Sequence, residues 1–439
     1  MSFDYLQTKR HFVSGKVIIG IDPARRKHQA AVIDALGISK GKSFSFKTNH
    51  HGYYTQLFKQ LSTLDVEINP KSCIFAIERS CNLWQTLAHY LHHAGYAVVL
   101  VSPVTTRRSR PFFNHDFSKT DPKDAMLVAS NARDGYFDYF QDFSAQIRAM
   151  HQLSLTYDKL RKNLVQNKQR LRSQIELVFP EFLSVLNSDI DTARLLLRDY
   201  FLPQHYLQLD LVEVTARMEA VSRKQHGKQT LLKLIELAKN SVGIPVCEEF
   251  EHAVRMTVTS WITMIETIQL QMKTIMKKMI ALAKLTPYFE ILLSLKGISE
   301  KMAAFFIAET RDLAQFGHYK KLEKYAGLNL RQTQSGNYTG RRHISRVGNR
   351  RLTWALYKMA EETARYIPEV RMKYLRRQLK EPMHRKNVVA SSSNLLKLIV
   401  ALIKDNRTYQ HYEENIRALE VLELQYQEKK IRKRFARAT

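Results

Sequence analysis

The stretch Val17–Asp22, VIIGID, decides the fold of the first part of the chain, because it is a short apolar run that ends in a carboxylate. A second run of the same kind, Cys73–Glu78, CIFAIE, also ends in an acidic residue. Short apolar runs of this length are typical of buried strands. We therefore expect two strands of one sheet, each with a carboxylate at its carboxyl end.

The segments around these two runs complete the sheet. The pattern predicts further strands at 28–33, 42–46 and 97–101 and helices at 53–64 and 83–93. Three antiparallel strands followed by alternating strands and helices form the order of an RNase H-like sheet. In that order the first and fourth strands are neighbours, so Asp22 and Glu78 would converge. We assign this α/β domain to residues 15–140.

A further pair of acids stands at the start of a predicted helix. The block KTDPKDA places Asp121 and Asp124 three residues apart, on one face of the first turn. Acids at this position also stabilise a helix without any metal, so for this pair alone the two interpretations are about even. Together with Asp22 and Glu78, however, they could hold divalent metal ions that activate a phosphodiester for displacement. Nearby acids that could be mistaken for these are Asp34, Asp116 and Asp134.

Composition indicates a polyanionic partner. The chain has 69 Lys and Arg against 41 Asp and Glu, a net charge of +28 that attracts nucleic acid. A run of about 18 apolar residues and the apolar core of a signal peptide are both missing, so we expect a soluble protein of the cytoplasm, associated with the nucleoid and not with a membrane. Three cysteines, Cys73, Cys81 and Cys247, make no metal-ligand spacing and are interpreted as reduced thiols.

The middle of the chain, residues 145–285, predicts a helical coiled-coil region with an insertion. Apolar residues recur every seven positions from Met150 to Val178, and they alternate three and four apart from Val258 to Leu282. Two such helices could form a hairpin within one chain or a seam between two copies, and the pattern favours neither. Residues 181–250 between them show a helical pattern without recognisable chemistry.

The C-terminal part, residues 286–410, predicts an all-helical domain followed by a basic tail at 411–439. The segment LLSLKGISEKMAAFFIAE has the form of a helix-hairpin-helix, whose turn at Lys296 could bind a phosphate. A polar loop is expected at 328–340, with further helices at 352–366 and 394–404. The basic run at 429–437 would lie on nucleic acid or be disordered.

These blocks, in this order, resemble the DEDD family of insertion-sequence transposases. GID, AIERS and KTDPKDA resemble its RuvC-like domain, and LLSLKGISEKMAAFFIAE, FGHYKKLEKYAGLNL, QSGN and RRHISRVGNRRLTWAL resemble its C-terminal domain. The resemblance implies a site-specific recombinase that cuts and rejoins donor and target DNA, guided in one branch by a noncoding bridge RNA. It also implies that Mg²⁺ is bound by Asp22, Glu78, Asp121 and Asp124 and that the catalytic serine, close to that metal in a composite site, is Ser335.

The residues around Ser335 suit a nucleophile without proving one. Gly336 gives the backbone freedom, and positive charge to stabilise a phosphorane-like state follows at Arg341, Arg342, Arg346, Arg350 and Arg351. From the residues alone, a polar turn with basic neighbours is the better interpretation, and only the resemblance reverses it. The family often has further small hydroxyl residues before this serine, whereas Thr333 and Gln334 stand here.

A recombinase must hold two duplexes, so we expect a dimer or tetramer. Two other functions compete with this interpretation. A structure-specific, metal-dependent endonuclease of the Holliday-junction resolvase type would use the acids alone. A nucleic-acid-binding protein without catalysis would need neither acids nor serine. Among the remaining motifs, Arg107, Arg108 and Arg110 beside Phe112-Phe113 suggest a nucleic-acid contact, and the pairs His50-His51 and His92-His93 are expected to be surface residues without a metal-site companion.

Overall fold

The computed structural model describes residues 3–80, 82–112, 118–336 and 338–438. Cys81, Phe113 and Asp116, considered above, lie outside these ranges. The chain divides into two compact units, Met1–Asp142 and Phe143–Thr439. The finer boundaries predicted from the sequence remain a prediction.

The first unit is a mixed α/β domain. Its sheet consists of β1 (Val17–Asp22), β2 (Lys27–Ile33), β3 (Phe44–Lys47), β4 (Cys73–Glu78), β5 (Ala97–Val101) and β6 (Asp138–Tyr139). The strand order is β3-β2-β1-β4-β5-β6. Strands β2 and β3 run antiparallel to their neighbours, while β4 is parallel to β1 and β5 is parallel to β4. This arrangement fits the RNase H-like order predicted from the sequence; the edge strand β6, antiparallel to β5, was not predicted.

Helices cover the two faces of this sheet. They are α1 (Phe3–Val13), α2 (Leu57–Ser62), α3 (Leu83–His93), α4 (Pro103–Ser109) and α5 (Asp121–Arg133), with a π-helical turn at Gly52–Gln56 before α2 and a 3-10 turn at Arg110–Phe112. Alternate residues of the strands enter opposite cores, because side chains of a strand alternate between faces. Ile19 and Phe75 pack under α2 and α3, whereas Ile18 and Ile74 share a core with Val128 of α5.

The second unit is largely helical, and two long helices, α6 (Ala145–Val178) and α12 (Glu248–Ala283), pack against each other. Met150 near the start of α6 shares a core with Met279 near the end of α12, and Leu171 shares another with Val258. The helices are therefore antiparallel, and the Gln146 amide donates to the Leu282 carbonyl at 2.7 Å. Of the two arrangements left open by the heptads, the hairpin within one chain is formed.

The insertion between these helices is helical, as its pattern predicts. It comprises α7 (Phe182–Val185), α8 (Asp191–Asp199), α9 (Pro203–Leu207), α10 (Leu211–Ser222) and α11 (Lys228–Lys239). Its core joins the distal ends of α6 and α12 through residues such as Phe182, Leu197 and Leu234.

The C-terminal helices are α13 (Phe289–Leu293), α14 (Glu300–Thr310), α15 (Tyr319–Tyr325), α16 (Arg350–Thr363), α17 (Pro368–Lys380), α18 (His384–Lys404) and α19 (Glu413–Ala438), with a 3-10 turn at Leu313–Gln315. A helix, a turn and a helix occur at α13–α14 as expected, with Gly297 at φ +105° in the turn. Within the described residues, α18 is long and apolar enough to cross a membrane, but Leu395, Leu396 and Ile399 lie in the core of this unit. We interpret α18 as a core helix.

The segment predicted as a polar loop at 328–340 is instead part of a β-ribbon. Its strands are β7 (Leu330–Arg331), β8 (Gln334–Ser335), β9 (Tyr338–Thr339) and β10 (His343–Ile344), paired β7 with β10 and β8 with β9. The prediction was wrong because strands of two residues, all exposed, carry no alternation of apolar and polar side chains.

Candidate active-site residues

Gly20 in β1 allows α5 to lie close to the sheet. A Cβ atom at this position would come within 2.3 Å of the Ala125 carbonyl oxygen and 2.5 Å of the Ala129 nitrogen. Any residue other than glycine would push the helix away. The glycine of the VIIGID block therefore lets the first turn of α5, which carries Asp121 and Asp124, approach the strand that ends at Asp22.

The four predicted acids interact electrostatically. Asp22 ends β1 and Glu78 ends the adjacent parallel strand β4. The pKa of Asp22 is raised to about 7, first by burial and then by the negative charges of Glu78, Asp124 and Asp121, while Lys119 opposes the shift. The structure thus brings the four acids into one cluster of incompletely neutralised charge.

The members of this cluster differ in their surroundings. Asp121 is exposed, Asp22 and Glu78 are partly buried, and Asp124 is buried. The Arg110 guanidinium donates to Asp124 Oδ1 through Nη2 at 2.7 Å and through Nε at 3.2 Å. Arg110, which the sequence suggested for nucleic-acid contact, is therefore engaged with one of the acids.

The other acids near this region serve local structure. Asp34 Oδ1 accepts hydrogen bonds from the amides of Leu36 and Ile38, which closes the turn after β2. Asp134 follows the last residue of α5 and forms an ion pair with Arg133 at 3.2 Å. Neither belongs to the cluster.

The donor set of the four acids fits a divalent metal. Carboxylate oxygens are the ligands that Mg²⁺ prefers, and the raised pKa of Asp22 reflects its burial beside three other carboxylates. Within the described ranges, no three of these acids have donor oxygens all within 4.8 Å of one another. The cluster is therefore more open than the ligand shell of one ion, and one of its members is held by Arg110.

Ser335 lies near the tip of the β-ribbon. It ends β8, pairs with Tyr338 across the turn and is exposed. Gly336 follows in the left-handed region at φ +52°, which glycine adopts without strain. The structure places the serine on an exposed hairpin, a position at which its hydroxyl is accessible to a partner.

The base of this ribbon is held by close backbone contacts. The Arg346 amide donates to the Gly327 carbonyl at 3.0 Å, and the Asn349 amide donates to the Tyr325 carbonyl at 2.8 Å. A Cβ atom on Gly348 would lie 2.4 Å from the Gly327 nitrogen. Both ends of the ribbon are therefore anchored on α15 and on the start of α16.

The predicted nucleic-acid contacts do not form one uniform group. Arg341, Arg342, Arg346 and Arg350 are exposed on or just after the ribbon. Lys296 is exposed in the turn before α14 and lies 5.0 Å from the centre of the Tyr366 ring. Arg351 differs, because its Nε donates to Glu309 at 2.8 Å.

Sequence reasoning missed the role of Glu309, which is fully buried near the end of α14. Its carboxylate accepts from Ser154 Oγ at 2.7 Å, from Asn349 Nδ2 at 2.7 Å and from Arg351 Nε at 2.8 Å. Asn349 in turn caps α16 by accepting from the Leu352 amide. Glu309 thereby links α6 and α14 to the start of α16, which directly follows the ribbon. The sequence feature that could have indicated this role is the acidic residue at the end of the apolar segment AAFFIAE, residues 303–309.

An RNase H-like order of strands with clustered carboxylates defines a class of enzymes that act on phosphodiesters, which includes transposases. Comparison with known families agrees: a profile described as a transposase of the DEDD, IS110 type matches residues 19–180, and that of the transposase IS116/IS110/IS902 family matches residues 289–375. The chain belongs to the IS110 family of DEDD transposases. The family predicted from the sequence is confirmed.

Two relatives extend the similarity beyond these segments. The insertion element IS116 uncharacterized 44.8 kDa protein of Streptomyces clavuligerus is 24% identical over 405 residues, which cover 90% of this chain and 96% of that protein. The insertion element IS110 uncharacterized 43.6 kDa protein of Streptomyces coelicolor is 22% identical over 324 residues, covering 72% and 78%. Family membership implies DNA cleavage and rejoining, and DEDD transposases typically use a divalent metal.

Proposed function

We propose that this transposase is a site-specific recombinase of an insertion sequence in which Ser335 is the nucleophile and Asp22, Glu78, Asp121 and Asp124 bind Mg²⁺. The observation that carries the metal assignment is the electrostatic cluster around Asp22, whose pKa is raised to about 7 by burial and by the other three acids. A group of like charges that is partly buried is unfavourable unless a cation neutralises it. Bound there, Mg²⁺ would polarise the scissile phosphate.

The position of Ser335 supports its assignment as the nucleophile. Attack of its Oγ on phosphorus would form a serine phosphodiester with one DNA end and release the hydroxyl of the other end. Rejoining reverses this exchange with a new hydroxyl, so no external energy source is required. The exposed guanidinium groups of Arg341, Arg342 and Arg346 on the same ribbon would stabilise the charge on the phosphate.

Donor and target DNA, and a guide RNA, are the proposed partners in the cytoplasm, at the nucleoid. The net charge of +28 attracts polyanions, RNA as well as DNA. A defined RNA should therefore survive purification at moderate salt. Recovery of random cellular RNA only, with full recombination after RNase treatment, would exclude bridge-RNA guidance.

A second copy of the chain is also proposed, since strand exchange requires two duplexes to be held together. Most heptad residues of α6 and α12, such as Met150 and Val258, pack in cores within one chain, so we expect a dimer or tetramer to use mainly other surfaces. Analytical ultracentrifugation with and without nucleic acid measures this directly, and a monomer at all stages of the reaction would contradict it.

The alternative function is a metal-dependent endonuclease of the Holliday-junction resolvase type. It is favoured by the fact that all four acids lie in the first unit, Met1–Asp142, and that a nuclease needs no serine. The two functions differ in whether a covalent protein–DNA bond forms.

The metal assignment is tested by four substitutions, Asp22→Asn, Glu78→Gln, Asp121→Asn and Asp124→Asn. Each keeps the shape of the side chain and removes a charged oxygen ligand, so each should abolish strand exchange on a synthetic donor and target pair. Asp134→Asn is the matched control, because Asp134 adjoins the same helix but pairs with Arg133. Normal strand exchange by any of the four variants would remove that residue from the site.

A further inference from the structure

Two histidines at the end of α3 and an aspartate far away in sequence form a cluster distinct from the four acids. His89 Nδ1 lies 3.4 Å from Asp142 Oδ1, and His93 Nε2 lies 3.6 Å from Asp142 Oδ2. One ligand atom from each of the three residues lies within 4.8 Å of the other two, and no other group of the described residues meets this condition. The expectation that His93 has no metal-site companion was wrong.

The local structure fixes these three side chains. His89 and His93 are four residues apart, so they lie on one face of the helix, and their rings are nearly parallel at 6.1 Å. Strand β6 pairs with β5, and the Phe140 amide donates to the Val98 carbonyl at 3.2 Å. The Phe140 ring packs edge-on against His89 at 5.3 Å. Asp142, two residues later, is thereby held opposite the two imidazoles.

We propose that His89, His93 and Asp142 bind a transition metal ion of the zinc type. With metal–ligand bonds of about 2.0–2.1 Å, adjacent ligand atoms of a tetrahedral site are about 3.4 Å apart. The three ligand atoms here lie within 4.8 Å of one another, and each histidine nitrogen lies 3.4–3.6 Å from a different oxygen of Asp142, so a small shift of the side chains completes the site. Two imidazoles and one carboxylate suit Zn²⁺, whereas Mg²⁺ takes oxygen ligands and water.

The surroundings favour a cation and allow it to enter. His93 stands in the last turn of α3, where the carbonyl ends of the helix dipole are negative. The His93 side chain is 70% exposed, and those of His89 and Asp142 are 29% and 25% exposed. Three protein ligands with an open side leave the fourth position for water or a further ligand.

Bound zinc would clamp the end of the first unit to α3. Asp142 is its last residue, and α6 begins after Ser144. The ion would link α3 to the segment after β6, an edge strand of two residues with few ladder hydrogen bonds of its own. This site is independent of the proposed catalytic mechanism.

The test uses the full-length protein, prepared without a histidine tag, freed of metal by chelation and titrated with zinc chloride against a chromophoric chelator in excess magnesium. One zinc ion should bind, with affinity reduced at least about 10-fold in His93→Ala and in Asp142→Asn. His51→Ala, which removes an exposed histidine outside the cluster, should bind zinc like the wild type.

Thermal unfolding provides a second readout. Zinc should raise the melting temperature of the wild type and of His51→Ala, and it should leave that of His93→Ala unchanged, because a ligand of the folded state stabilises it. The His93 side chain is largely exposed, so its replacement should preserve the fold. Absence of zinc binding in excess magnesium, equal zinc affinity in His93→Ala and wild type, or an equal loss in His51→Ala would overturn the proposal.

Discussion

Arg110 Nη2 lies 2.7 Å from Asp124 Oδ1, so an arginine side chain holds one of the four acids in the cluster at the end of β1. Both groups are largely buried, with exposed fractions of 17% and 4%. A metal ion that uses Asp124 would have to compete with this guanidinium. Breaking this ion pair therefore makes the free energy of metal binding at Asp124 less favourable.

Replacing Arg110 with Gln should raise the affinity of the protein for divalent metal, because it frees Asp124 and leaves the cluster more negative. Calorimetric titration with Mn²⁺ as a Mg²⁺ substitute measures this. Arg107→Gln, an exposed arginine on α4, is the control and should leave the affinity unchanged. A weaker metal affinity in Arg110→Gln would show that Arg110 supports the metal-bound form.

Asp22→Asn should stabilise the metal-free protein while it abolishes strand exchange. The pKa of Asp22 is raised from 3.8 to about 7 in the folded chain, so the folded state binds more protons than the unfolded state between these values. Stability contributed by this group is thus present at low pH and lost as pH rises to about 7. Removing the charge should increase the free energy of unfolding at pH 8, by less than the full pKa shift implies, because the Asp22 carboxylate is partly exposed to solvent.

Urea unfolding in the presence of a chelator measures that gain, which should shrink as pH falls from 7 toward 4. Asp134→Asn, whose carboxylate is exposed and paired with Arg133, should show no such gain. A loss of stability in Asp22→Asn at pH 8 would contradict the picture of an unneutralised acid cluster.

Gly20→Ala should displace α5 and with it Asp121 and Asp124. The new Cβ atom would meet helix backbone within 2.3 Å, which cannot be relieved by a side-chain rotation. Overpacking of this kind costs about 1–3 kcal/mol. We expect a lower unfolding midpoint and weaker Mn²⁺ binding.

Gly317→Ala is the matched control for this substitution, since a Cβ atom there meets nothing within 4 Å. It should unfold and bind metal like the wild type. Unchanged stability and metal affinity in Gly20→Ala would show that the close approach of α5 is unimportant.

Glu309→Gln should destabilise the second unit by about 3–5 kcal/mol, because it leaves Arg351 without its buried partner and weakens the bonds to Ser154 and Asn349. Glu362→Gln is the control: its ion pair with Arg365 is exposed and should contribute less than about 1 kcal/mol. Equal effects of the two substitutions on the urea midpoint would refute the anchoring role of Glu309.

Local patterns in the sequence predicted five of the six strands of the sheet, and they singled out the four acids that interact electrostatically in the structure. The apolar runs that end at Asp22 and Glu78 indicate strands directly, and the strand order brings these residues to adjacent ends. The features that the sequence did not predict depend on contacts between residues of different segments. These contacts are Arg110 with Asp124, Glu309 with Asn349, and His93 with Asp142. No local periodicity encodes such pairs.

The ribbon that carries Ser335 was missed for a different physical reason. Its strands are two residues long, exposed and rich in polar side chains, so neither burial nor alternation marks them. They are defined by backbone pairing and by anchors at Gly327 and Gly348, whose close backbone contact permits no side chain. Such geometry becomes visible only in three dimensions.

The most direct test of the proposed mechanism is covalent trapping on DNA. Wild-type protein with its nucleic-acid partners and Mg²⁺ is given a nicked substrate that cannot be rejoined, then denatured, and the adduct is digested for peptide mapping. If Ser335 is the nucleophile, a denaturation-resistant protein–DNA adduct forms on the peptide that contains Ser335, and Ser335→Ala forms none. Nicking by Ser335→Ala at a near wild-type rate, without any adduct in the wild type, would contradict the serine mechanism and favour the endonuclease.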